Sequence, residues 1–235
     1  MLAETTSVIA EDIRSARIAS KFRPCVVTID DNASVSSASS NTSASRSHTV
    51  KSVHEMIDFA LVLKPDQELA SIIEQYTKLS TDRTVNQTTY SPLKIRAVPV
   101  FIKTKMTSAK IETSDAQLGV WIAAWHESLY SIMVCGGNHE RIITVPLIQV
   151  LKGTWTVMFS VDGENELKIV DGGQAMIGNS NSLMGMYQLQ AAFKAITQWM
   201  EEPLKGWITR ILTTALVDLV LRTTEYNSRL YEDKK

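Results

Sequence analysis

The chain predicts a single domain of the α/β or α+β class, a central mixed β-sheet flanked by helices over residues 1–235. Three observations point there. Short apolar runs of strand length alternate with stretches of helical periodicity. Lys152-Gly153 and Asp162-Gly163 separate neighbouring runs as tight-turn pairs. A chain of 235 residues, 44% hydrophobic and 21% charged, suits one sizeable core better than two.

The elements follow in order. Residues 1–22 carry Val8, Ile9, Ile13, Ala16 and Ile18 at loosely helical spacing and read as a helix. Cys25-Val26-Val27-Thr28-Ile29 reads as a strand. From 33 to 49 serine recurs among Asn, Thr and Ala, a composition that buries too little apolar area to offset its ordering entropy, so a mobile surface loop is expected. Residues 53–63 form a strand, 66–78 a helix opening after Pro65, and 95–104 a second, buried strand. Over 114–130, Leu118, Trp121, Ile122, Trp125 and Leu129 repeat at helical spacing, and Ser114 with Gln117 fits a capping box. Residues 145–151, 155–161 and 166–177 are three further strands, with Asp171-Gly172-Gly173 a turn or bulge. Two helices close the chain, at 182–200 and from Pro203 to about 222, the second with Leu204, Trp207, Ile208, Ile211, Leu212, Ala215, Leu216 and Leu219 on one face.

Bulk charge narrows the function classes. A formal net charge of -1 argues against a generally basic nucleic-acid binder. Cys25 and Cys135 give no disulfide framework. The first twenty residues mix Glu4, Glu11, Asp12, Arg14 and Arg17 with short apolar runs, unlike a signal peptide, and no run reaches the ~18 residues of a membrane span. A reducing cytoplasmic or nuclear setting, away from membranes, is the expectation. His54, His126 and His139 lack zinc-ligand spacing.

Charge inside the strands carries the chemistry. A period of two puts Phe101, Lys103 and Lys105 on one side of their strand, and Asp58 with Met56, Ala60 and Val62 on one side of theirs. A lone buried carboxylate is costly, so Asp58 needs a partner, and adjacent strands would bring it to Lys103 or Lys105. Two readings stay open. One is a buried ion pair that fixes strand register; the other is a site in which an ammonium fills the space of a cation and polarises a carbonyl or steadies an oxyanion.

The blocks Met56-Ile57-Asp58-Phe59-Ala60-Leu61-Val62-Leu63-Lys64-Pro65-Asp66, Tyr90-Ser91-Pro92-Leu93 leading into 99–105, 117–126 and Gly185-Met186-Tyr187-Gln188 belong together. Taken jointly, from about 25 to 208, the chain resembles the fungal branch of the PD-(D/E)XK nuclease-like proteins. The resemblance implies a restriction-endonuclease-like core, Asp58 as the first metal-binding acid, and Lys105 as the lysine that positions the attacking water. Gln117 and Trp121 would lie on the helix flanking the site. The family pattern has Glu where this sequence has Lys103. That exchange removes a ligand and adds a positive charge, so divalent-cation affinity should fall and neither metal nor cofactor is expected. Glu55 points away from Asp58 on its strand, and Glu112 lies in a loop or first helical turn.

Three functions compete. The leading one is a metal-independent enzyme on a small molecule, of the secondary-metabolite type, with Lys103 or Lys105 as electrostatic stabiliser or acid, Asp58 as orienter or base, and Gln117 and Trp121 as substrate contacts. The second is a nucleic-acid-binding relative of the nucleases, using the acid-free basic run Lys94, Arg96, Lys103, Lys105 and Lys110. The third is an interaction protein whose last helix pairs with another copy as a homodimer.

Overall fold

Six strands form one mixed sheet whose spatial order is their chain order, in a computed structural model that describes residues 7–24, 56–106, 111–163 and 166–232. They are β1 (Val8–Asp12), β2 (Phe59–Leu63), β3 (Ala97–Lys105), β4 (Val145–Leu151), β5 (Thr154–Asp162) and β6 (Leu167–Asn179). Every neighbouring pair is antiparallel except β3 and β4. That parallel step needs a crossover, and the 25-residue helix α2 (Ile111–Cys135) supplies it. Helix α1 (Gln67–Leu79) follows β2, and α3 (Leu183–Trp199) and α4 (Lys205–Glu232) end the chain.

Local chemistry sets the boundaries. Asp66 caps α1 by accepting from Leu69 N at 3.0 Å, and Ser182 caps α3 by accepting from Gly185 N at 3.1 Å. Each cap satisfies a helix-end amide and is worth about 1 kcal/mol. Between β4 and β5, Leu151 pairs with Thr154 across a two-residue turn in which Lys152 and Gly153 both take positive φ, 50° and 82°. Such a turn matches the right-handed twist of the strands it joins. Along β6 the partner of Met158 is Asp171 and that of Val157 is Ala175, so the Asp171-Gly172-Gly173 stretch enters a bulge within the strand.

Some expectations need correction. Residues 1–22 are not a helix: Val8–Asp12 joins the free edge of β2, and only Ser20–Phe22 makes a single 3-10 turn. Edge pairing satisfies the backbone there, and Ile13, Ala16, Ile18 and Phe22 bury their side chains from non-helical or turn positions. The strand expected over 53–63 begins its ladder only at Phe59, while Cys25–Ile29 and the loop at 33–49 fall outside the described residues. Ser114 is no cap, because α2 starts three residues earlier and leaves it fully buried. Pro203 does not open a new helix: α3 runs through a π-helical turn, Met200–Leu204, directly into α4. Proline lacks an N–H and crowds the preceding turn; the wider π turn lets the chain pass it without a loop.

Side-chain alternation gives the sheet two unlike faces. Phe101 lies edge-on to Trp121, Gln149 reaches Asp115 and Ser160 reaches His126, so α2 covers one face. Trp155 meets Phe193 on the other, where α3 lies. α4 packs against both α1 and α2, seating Trp207, Ile208, Ile211, Leu212 and Ala215 in the core.

Candidate active site

The site forms where β3 outruns β2. The ladder pairs Phe59 with Ile102, so the next position sets Asp58 opposite Lys103, but β2 has already ended and the Asp58 side chain closes the gap. Its Oδ2 accepts from Thr104 N at 2.7 Å and Thr104 Oγ1 at 2.9 Å; its Oδ1 accepts from Lys103 Nζ at 3.1 Å. Thr104 and Lys103 leave their strand on opposite faces, so the carboxylate sits at the sheet margin rather than squarely on one face. Lys103 Nζ also donates to the Met56 carbonyl at 2.6 Å. Both charged residues are buried, with 4% of Lys103 and 8% of Asp58 exposed.

Lys105 lies two residues on along the same face and is only half-buried. Its Nζ donates to Gln117 Oε1 at 3.3 Å, so β3 and α2 hold it between them. Four of the five expected site residues thus come together as two pairs, Asp58 with Lys103 and Lys105 with Gln117. The fifth behaves differently. Trp121 is fully buried with its ring against Phe101 at 5.9 Å, which supports the wall from behind and leaves no face for a ligand.

Two residues that sequence reasoning passed over belong to the rim. Gln149 of β4 is the register partner of Lys103, and its Nε2 donates to Asp115 Oδ1 of α2 at 2.7 Å. The clue was Gln149 itself, the single polar side chain in the run Val145–Leu151. The rim therefore carries an ammonium, a carboxylate and two amides around a neutralised ion pair.

The donor set does not fit a divalent cation as arranged. Both Asp58 oxygens are engaged, and the nearest partner is an ammonium where a second acid would have to stand. A cation would have to displace Lys103 into a buried setting with no counter-charge, which is strongly unfavourable. Among the described residues no three His, Cys, Asp or Glu side chains form a ligand group. Glu55 and the side chain of Glu112 lie outside the described residues.

Elsewhere on the α2 face, His126 Nε2 meets Ser160 Oγ at 3.1 Å, with Ser160 wholly buried. Burial pushes the His126 imidazole down to about 4, partly countered by the charge of Asp162. The pair is structural, since Ser160 is sealed from any substrate. No helix among the described residues is long and apolar enough to cross a membrane.

An antiparallel entry into β3, a parallel exit through a crossover helix, and an acid facing Lys-x-Lys at the end of that strand are now established. A family model for the PD-(D/E)XK nuclease superfamily matches residues 7–205. The chain belongs to this superfamily. No curated protein and no solved structure gives a significant match. Within this PD-(D/E)XK protein, Asp58, Lys103 and Lys105 all fall inside the matched residues.

Proposed function

We propose that this PD-(D/E)XK protein is a metal-independent enzyme acting on a small anionic or carbonyl-rich molecule, with Lys105 as the group that meets the ligand. The observation that carries the reading is the Asp58–Lys103 pair: an internal ammonium balances the acid where a cation would otherwise stand, and Lys105 lies two residues on along the same face, held to α2 through Gln117. Lys105 serves as electrostatic stabiliser or proton donor, Gln117 orients it, and Asp58 positions Lys103 instead of acting as a base, because its oxygens already accept three hydrogen bonds. Gln149 and Asp115 offer further polar contacts at the rim.

The nucleic-acid reading loses its main support. The basic run is not one patch: Arg96 pairs with Glu11 at 2.7 Å, Lys103 is buried, and β3 carries Lys105 about 27 Å from Ala97 at the other end of the strand. Lys110 lies outside the described residues.

The test combines three measurements on the full chain. Titration with Mn2+ by calorimetry should give no tight site, and supercoiled plasmid should stay intact with Mn2+ present. A thermal-shift panel of carboxylates, phosphates and keto acids should contain a ligand that raises Tm, with the shift lost in Lys105→Ala. Mn2+-dependent nicking by the unmodified protein, or DNA retention that weakens steeply with salt and needs Lys105, would overturn the proposal in favour of a nuclease or a nucleic-acid binder.

A further inference from the structure

Between α3 and the outer part of the sheet lies a cavity of about 430 Å3, on the face opposite Asp58 and Lys103. Its floor is Pro146 of β4, Val157 and Phe159 of β5 and Ile177 of β6; its roof is Ala192, Ala195, Ile196 and Trp199 of α3. The lining holds no ionisable residue, and Thr144 at one side is its sole hydroxyl.

The gap has a structural cause. Near its start α3 lies against the backbone of β6: Gly178 has φ +147°, and a Cβ there would sit 2.6 Å from Gly185 O and 2.7 Å from Leu189 Cγ. Ser182 fixes that end as the helix cap, and Trp155 with Phe193 at 5.5 Å props the middle. Past the far end, Met200 and Leu204 of the π turn are anchored in the main core. Clamped at both ends, the helix spans the floor on Ala192 and Ala195, side chains too small to fill the space beneath. The hollow is therefore built into the frame and does not depend on a mobile side chain.

We propose that this cavity binds an uncharged, hydrocarbon-rich small molecule. Its size falls in the range of ~300–1,000 Å3 found for small-ligand sites, and a charged ligand would lose its hydration with nothing in the lining to replace it. The apolar lining continues onto the open sheet beside it, where Phe159 is 42% and its register partner Val170 49% exposed. On the outward side of the same stretch of helix, Lys194 and Gln198, followed by Glu201 and Glu202, are exposed. A docked protein surface would have to cover those charges. The exposed apolar side chains of α3 that a protein partner would favour, Leu183, Met184, Met186 and Tyr187, lie toward the start of the helix, about 7 Å or more along it from Ala192, the first lining residue. The inference is independent of the function proposed above.

The experiment uses the full chain and 1-aminoanthracene, an uncharged fluorescent probe. Saturable binding of one probe per chain is expected, weakened by about tenfold or more in Ala192→Phe, which fills the hollow from the helix side. Ile177→Phe fills it from the sheet side and serves where Ala192→Phe fails to fold by circular dichroism. Leu183→Ser, at the distant exposed end of α3, should leave the affinity unchanged. Absence of saturable binding overturns the proposal, as does binding that both filling variants leave intact or that Leu183→Ser abolishes. A dimer by light scattering that excludes the probe until Ala195→Arg dissociates it would assign the hollow to a second copy and overturn the proposal equally.

Discussion

The two faces of the sheet solve opposite problems. Under α2 the protein buries charge and polar groups and matches the ionisable ones: Asp58 with Lys103 and Thr104, Gln117 with Lys105, His126 with Ser160. Under α3 it buries almost nothing polar and leaves space unfilled. Stability on the first face rests on partners remaining in the right ionisation state; on the second it rests on shape. The first face should respond to charge and pH, the second to volume.

The sharpest way to break that contrast is to orphan the buried ammonium. Asp58→Ala leaves Lys103 without its counter-charge and the Thr104 amide without its acceptor, and a loss of about 3–5 kcal/mol is expected in urea unfolding. The double replacement Asp58→Asn with Lys103→Met removes both charges together and should cost less than Asp58→Ala alone. Costs that simply add would mean that the two residues are not coupled.

Next in size is the imidazole under α2. His126 is held neutral with its value lowered to about 4, so below its unfolded value of about 6.5 the unfolded chain binds the extra proton and stability falls with pH. The stability contributed is fully present above pH ~6.5 and is lost progressively down to about 4, to the order of 3 kcal/mol in all. Urea midpoints at pH 7 and pH 5 check this, and His126→Gln should flatten the slope. An unchanged slope in that variant would assign the acid sensitivity elsewhere.

On the α3 face the expected effects are geometric. Gly178→Ala combines a positive φ with a clash against the Gly185 carbonyl, and about 1–3 kcal/mol should disappear from the melt with no change in its pH dependence. Ser182→Ala, which deletes the cap and the exposed hydrogen bond from Ser182 Oγ to Asn179 Oδ1, should cost about 1 kcal/mol. A strong pH dependence in either variant would blur the distinction between the faces.

The polar face was more legible in the sequence than the hollow one. Asp58 and Lys103 each stand as a charged residue in an apolar run, and period-two alternation with the two strands side by side leaves Asp58 to meet Lys103 or Lys105; the register selects Lys103. Gln149 carried the same kind of signal but pairs through a parallel register set by a 25-residue crossover, which no local pattern specifies. Helical spacing alone makes Trp121 a core residue, which its full burial bears out; its role as a ligand contact came from the family resemblance. β1 was misread because a five-residue edge strand owes its shape to the vacant side of β2 rather than to its own periodicity. The cavity left no trace in sequence, because Ala192 and Ala195 look like ordinary helix formers and the void beneath them comes from how Gly178 and Gly185 meet.

The carboxylate at the end of β2 has its counter-ion tethered on the adjoining strand. A side chain bound to the backbone cannot be diluted, chelated or exchanged for a competitor. Charge balance at Asp58 is therefore inherited with the polypeptide and owes nothing to mass action from dissolved ions, whatever the ionic make-up of the surroundings.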